Sequence, residues 1–137
     1  MSNYFIDTNI ILRFLLKDNK IQYPQARKIF EKGEAGKISM WTTDVVILEL
    51  IWTLKSVYGY DRFIIREKVE SLLALPNFEV LNKKLVLQAL HDFANKNVDF
   101  ADAYNYQLAR KEGKRVLSFD KDFKKLGVKV DIKSVAK

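Results

Sequence analysis

Cysteine is absent from this 137-residue sequence, histidine occurs once, and proline and glycine are scarce at two and five residues. The first absence removes disulfides, thiolate metal sites and thiol nucleophiles. The second removes histidine clusters as metal ligands, and His91, in an amphipathic segment, reads as a structural or surface residue. Sparse proline and glycine, with no repeat and no low-complexity tract, leave no linker at which the chain would divide. The apolar run after Asn9 is short, contains Arg13 and follows an acidic residue, so it is read as neither a signal peptide nor a membrane span. Any chemistry therefore falls to carboxylates, hydroxyls, amides and basic side chains, in a protein expected to be cytoplasmic.

What is present is a chain with 48% apolar residues, enough for one domain with a real core, expected to span residues 1–137. Lysine plus arginine exceed aspartate plus glutamate by 24 to 17, a formal charge of +7 that favours polyanionic partners such as nucleic acid. Apolar periodicity reads as strands at 4–6, 37–43, 78–81 and 115–119, with a short fifth at 128–132. Helices are read between them, with Thr8 or Asn9 capping the first and Asp61 capping the segment that Pro76 ends. Alternation of the two implies an α/β fold with a central parallel sheet of about four to five strands flanked by helices. In such a sheet the ligand site lies outside the carboxyl ends of the strands.

Four acids bear on that site. Asp7, in "YFIDTNIILRFLL", follows the first strand, amid apolar runs where dehydrating a carboxylate costs several kcal/mol unless it is paired. Asp120, in "VLSFD", stands at the same place after the fourth strand. Either one alone is better explained as a helix cap or a turn residue. Glu49 is the only charged residue between Asp44 and Lys55, which suggests burial, and hence either a metal or an ion pair with Arg13 or Lys55. Thr53, four residues on, keeps open a plain polar stripe. Asp102 follows Asp99 by three residues, the spacing of a capping box, and also the spacing that aims a carboxylate outward from a helix start. Capping does not predict all four jointly. Carboxylates that share one site need a cation to offset their repulsion, and oxygen-only ligation suits Mg2+ or Mn2+.

The segments "IDTNIILRFLL", "TTDVVILELIWTL", "DFADAYNYQLA" and "VLSFDKDF" occur in this order over nearly the whole chain. In them the sequence resembles the PIN domains, and more narrowly the VapC-type toxins of bacterial and archaeal toxin–antitoxin pairs. The resemblance implies a metal-dependent endoribonuclease in which Asp7, Glu49 and Asp102 are the principal acids holding the metal and Asp120 is the fourth. It implies supporting roles for Thr8, Asn9 and Ser118, with Asn9 preferred to Thr8 beside the acids. Asp99 and Asp122 lie near matching positions, Asp122 also reading as the cap of "KDFKKL". Homodimerisation and inhibition by a cognate antitoxin protein are implied as well. A housekeeping PIN ribonuclease of RNA maturation would use the same site; the small size and lack of an accessory domain favour the toxin.

Two further readings compete. Asp7 suits a phosphatase nucleophile, but Asn9 stands where a helping acid would be expected. A non-catalytic RNA-binding module of the same fold would have less reason to keep all four acids. For RNA contact, residues 121–137 contain six lysines and "RKEGKR" at 110–115 adds a second basic cluster, though such clusters are more often solvated surface. Tyr58, Tyr60, Tyr104 and Tyr106 could stack bases, though aromatic residues on helices more often serve packing.

Overall fold

The computed structural model describes residues 2–137, and its Cα packing divides the chain into two compact units, Met1–Lys83 and Lys84–Lys137. The first unit is built as β1 (Asn3–Phe5), α1 (Thr8–Leu16), α2 (Gln22–Glu34), β2 (Ser39–Thr42), α3 (Asp44–Ser56), α4 (Arg62–Leu73) and β3 (Phe78–Val80). Its sheet is parallel, in the order β1-β2-β3, with Phe5 opposite Trp41 and Thr42 opposite Val80. Parallel neighbours require crossovers, and here each crossover is a pair of helices. Past the strand ends, Ile6 N–H still donates to the Trp41 carbonyl (2.8 Å), and the buried Thr42 hydroxyl donates to the Ile6 carbonyl (2.7 Å). These two bonds hold the backbone immediately before Asp7.

The helices begin where side-chain acceptors meet their unpaired N–H groups. Asp7, not Thr8 or Asn9, is the N-cap of α1, with extended backbone at φ −82°, ψ 162°. Asn19 Oδ1 accepts from the N–H groups of Ile21 and Gln22, Thr43 caps α3, and Asp61 caps α4 as expected. The core of this unit gathers Ile11, Ile47, Leu50, Leu54 and Ile65 from the helices with Met40 and Phe78 from the strands. Phe30 stacks on Phe14 at 4.2 Å and meets Phe78 edge-on at 5.9 Å. Burying each such side chain contributes about 1.5–3 kcal/mol.

The second unit contains nearly all of α5 (Lys83–Lys96), then α6 (Phe100–Lys111) and two single-turn helices, α7 (Asp122–Lys125) and α8 (Ile132–Val135). Phe93, Phe100 and Tyr104 are buried, with ring centroids 6.4 and 6.2 Å apart along the series. Asp92 is also buried, 4% exposed, accepting 2.6 Å from Gln107 Nε2 and paired with Lys96 Nζ at 3.5 Å.

The sheet corrects the expected strand number. Among the described residues three strands form, and neither 115–119 nor 128–132 is one of them. A strand exists only where a neighbour completes its ladder of hydrogen bonds, whatever its propensity. In the first segment Leu117 is 56% and Phe119 90% exposed, so the apolar run that suggested a strand is not buried either. No described helix is long and apolar enough to cross a membrane.

Candidate active site

Within the first unit, one residue organises two of the predicted acids. Thr8 opens α1 directly after its cap, so its N–H points back at the Asp7 carboxylate and donates to Oδ1 at 2.8 Å. Its hydroxyl donates to Glu49 Oε2, also at 2.8 Å, across a sequence separation of 41 residues. Thr8 is itself buried, which makes the link well defined, whereas Asn9 is exposed. Thus Thr8, the less favoured of the two supporting residues, makes the polar contacts.

Both acids are accessible, contrary to the burial inferred from their apolar surroundings: Asp7 and Glu49 are exposed. The reason lies in α3: its outward stripe carries Val45 and Trp52, each 61% exposed, beside Glu49. Local apolarity therefore does not mark an inward face. Nor does the suggested Arg13 partner reach Glu49, since Arg13 binds Asp18 at 3.3 Å and donates to the Tyr58 hydroxyl. Asp7 and Glu49 are left as accessible carboxylates that share one buried hydroxyl-bearing neighbour.

Within the second unit, the start of α6 and the 120–122 turn converge. Asp99, Asp102 and Asp122 each offer a carboxylate oxygen, and the three lie within 4.8 Å of one another. Asp99 occupies the N-cap position of α6 at φ −62°, ψ 143°, yet its side chain makes no capping hydrogen bond. The capping explanation for the Asp99–Asp102 spacing is thereby removed. Asp120 is joined to the group through the backbone, its Oδ1 accepting from Asp122 N–H at 2.9 Å, while Ser118 Oγ accepts from Asp120 N–H at 2.9 Å. Asp122 is the first residue of α7, not its cap, which is Lys121, and it pairs with Lys125 at 3.2 Å. With 115–119 not a strand, Asp120 follows a Ser-braced turn and not a strand end.

The electrostatic state of this cluster is visible in one group. Partial burial, and then the charges of Asp120, Asp99 and Asp122, push the Asp102 carboxyl above the ordinary aspartate range. Three carboxylates held this close repel one another, and a cation is what would relieve the repulsion. The donor set is oxygen only, the ligation that hard divalent ions prefer. The residues present therefore fit a divalent metal.

Of the remaining candidates, Tyr104 is buried and stacked on Phe100. Tyr60 lies under Lys68 Nζ at 5.5 Å, and Tyr106 lies under Arg110 at 5.6 Å. His91 is exposed beside Asn95. Nothing in the local sequence marks Asp92. Its spacing from Lys96 looks like an ordinary surface pair, and the contact with Gln107 that accompanies its burial comes from another helix.

Residues 4–129 match the PIN domain sequence family, and the chain belongs to it. The chain is 31% identical over 128 residues to the VapC ribonuclease of Aquifex aeolicus (strain VF5), a match spanning 90% of this chain and 92% of that protein. The crystal structure of Mycobacterium tuberculosis VapC20, a toxin described as cleaving the sarcin-ricin loop, aligns with 93% of this chain and 97% of its own at 20% identity, with a TM-score of 0.39.

Proposed function

We propose that this protein is an endoribonuclease that hydrolyses RNA phosphodiester bonds with the help of Mg2+ or Mn2+, and that it is the toxin of a type II toxin–antitoxin pair. In this reading residues 1–137 serve as one PIN domain, work as a homodimer in the cytoplasm and are silenced by a cognate antitoxin. The observation that carries it is the likeness to a VapC ribonuclease over 90% of this chain and 92% of that one.

Asp7, Glu49, Asp102 and Asp120 are the carboxylates we assign to the cation, with Thr8, Asn9, Ser118 and Asp99 in support. Asp122 joins them because of its distance from Asp99 and Asp102. A divalent ion, when bound, offsets carboxylate repulsion, acidifies water and balances the charge that builds on the phosphate. The chain's own part is positional and protonic. Thr8 holds the Asp7 and Glu49 carboxylates in fixed orientation, the Ser118 turn fixes Asp120, and one carboxylate takes the proton of the attacking water.

Induced expression of the wild type beside Asp7→Asn, followed by RNA cleavage with purified protein, tests the reading. Growth arrest by the wild type alone, with cleavage that needs Mg2+ or Mn2+, is the expected result. RNA binding that ignores divalent metal and yields no product would replace the enzyme with a non-catalytic module. Cleavage in vitro without growth arrest would favour a housekeeping ribonuclease.

A further inference from the structure

The second unit carries one built feature that the acids do not use. An open cavity of about 260 Å³ is lined by Tyr106, Arg110, Lys114, Arg115 and Lys129, together with Gly127 and the valines at 116, 128 and 130. Four cations and no carboxylate line it. Among the described residues none of the four is in a salt bridge, although the same unit holds pairs such as Lys96–Asp92 and Lys125–Asp122. Like charges gathered without counter-charge repel, so the cluster is stable only while solvent or an anion screens it.

The local chain path explains how they meet. After α6, Gly113 adopts φ +67° and the Lys114 N–H donates back to the Ala109 carbonyl at 2.8 Å, turning Lys114 and Arg115 toward the helix end. Gly127, at φ +97°, makes the opposing turn, and a Cβ there would stand 3.9 Å from the Tyr106 hydroxyl. The Arg110 guanidinium lies over the Tyr106 ring at 5.6 Å, which limits its rotation. The helix dipole accounts for basic residues in the last turn of α6, Arg110 and Lys111, but not for Lys114, Arg115 or Lys129 beyond it.

We infer that this cavity is a phosphate-binding subsite that takes the backbone of single-stranded RNA at nucleotides other than the one being cleaved. The inference rests on the ribonuclease reading for its choice of polyanion. The cavity is smaller than the usual small-molecule pocket, which suits a phosphate with part of its sugar. Its one aromatic ring is already covered by Arg110, so the contact is to charge and carries no base preference. Guanidinium forks and flexible ammonium groups together suit a phosphodiester whose position is not rigidly set.

The test measures binding of a labelled single-stranded RNA across a salt series, using Asp102→Asn protein to prevent cleavage. Lys114→Glu/Lys129→Glu is compared with Lys28→Glu/Lys32→Glu, an equal change of charge on the exposed face of α2. The cavity pair is expected to lose ~10-fold or more in affinity and about 1.4 in the slope of log K on log salt, at ~0.7 per phosphate contact. The control pair should lose less than ~3-fold, the general effect of net charge. With the acids intact, the cavity pair should raise KM at unchanged kcat. All four substituted lysines are exposed, and thermal melts establish that the variants fold. Equal losses in the two pairs would overturn the subsite while leaving the ribonuclease intact. So would a cavity pair that binds RNA normally but loses an acidic protein partner. Wild-type protein that neither binds nor cleaves RNA would overturn the ribonuclease reading, and the subsite with it.

Discussion

Thr8 donates its hydroxyl hydrogen to Glu49 at 2.8 Å from a buried position one residue after Asp7, so a single side chain couples the end of β1 to α3. Removing the hydroxyl while keeping the shape isolates that coupling. Thr8→Val is expected to weaken the apparent affinity for Mg2+ or Mn2+ by about 10- to 100-fold, the usual effect of losing a partner that orients a metal ligand. Stability should fall by only about 0.5–1 kcal/mol, because Glu49 is exposed and water replaces the bond. Metal titration of cleavage is the measurement, and Thr8→Ser should restore it.

Asp102 makes a prediction whose sign depends on metal. Its carboxyl is raised above the ordinary range in the folded protein, so at neutral pH its charge destabilises the metal-free fold, and that penalty disappears as pH falls through the raised value. Asp102→Asn should therefore raise the melting temperature of metal-free protein at neutral pH, modestly because the group is only partly buried. The same substitution should abolish stabilisation by added Mn2+. For the wild type, metal affinity should weaken as pH falls through that range, because protons and the cation compete for the same oxygens. Melting curves with and without metal check both statements.

Asp99 and Asp122 separate two accounts of the second cluster. If closeness of oxygens decides membership, Asp99→Asn and Asp122→Asn each lower metal affinity, by about 10-fold or more. If family position alone decides it, Asp120→Asn has the larger effect. Calorimetric titration of Mn2+ into the three variants gives the order.

Gly33 sits against the buried side chain of Met40, where an added Cβ would collide with Met40 Cε and Sδ. Gly33→Ala should destabilise the first unit by about 1–3 kcal/mol through overpacking. Met40→Val removes the colliding atoms, so the double variant should recover part of the loss in denaturant unfolding.

Gln107→Leu should cost about 1–3 kcal/mol, because Asp92 would keep its burial and lose its 2.6 Å donor. Asp92→Asn with Gln107 retained should be milder, since the amide can still pair. Chemical denaturation of both variants distinguishes a structural lock from a surface pair.

Much of this protein is legible in its local sequence pattern. The three strand segments of the first unit, the helix cap at Asp61, and the acids at 7, 49, 99, 102 and 120 are all marked by short-range chemistry in the chain, whereas the cap after β1 is Asp7 and not the Thr8 or Asn9 that the pattern suggested. The family motifs reinforce those marks because their order along the chain needs no folding to be read. Burial is another matter. Glu49 is surrounded in sequence by apolar residues yet exposed in space, because it shares the outward stripe of α3 with Val45 and Trp52. A helix window averages over faces that only packing distinguishes.

The order of amino acids is enough to give the α/β alternation, the absence of thiol and histidine chemistry, the surplus of positive charge and the acidic residue types available to a hard cation. Folding in three dimensions was needed to show that Thr8 binds two acids, that Asp122 stands with Asp99 and Asp102, and that 115–119 lacks a ladder partner. It was needed as well to bury Asp92 and to line one cavity with four cations. Composition and periodicity are sums over neighbours along the chain. Hydrogen bonds, ladders and clusters belong to residues far apart in sequence, and their geometry exists only once the chain has folded.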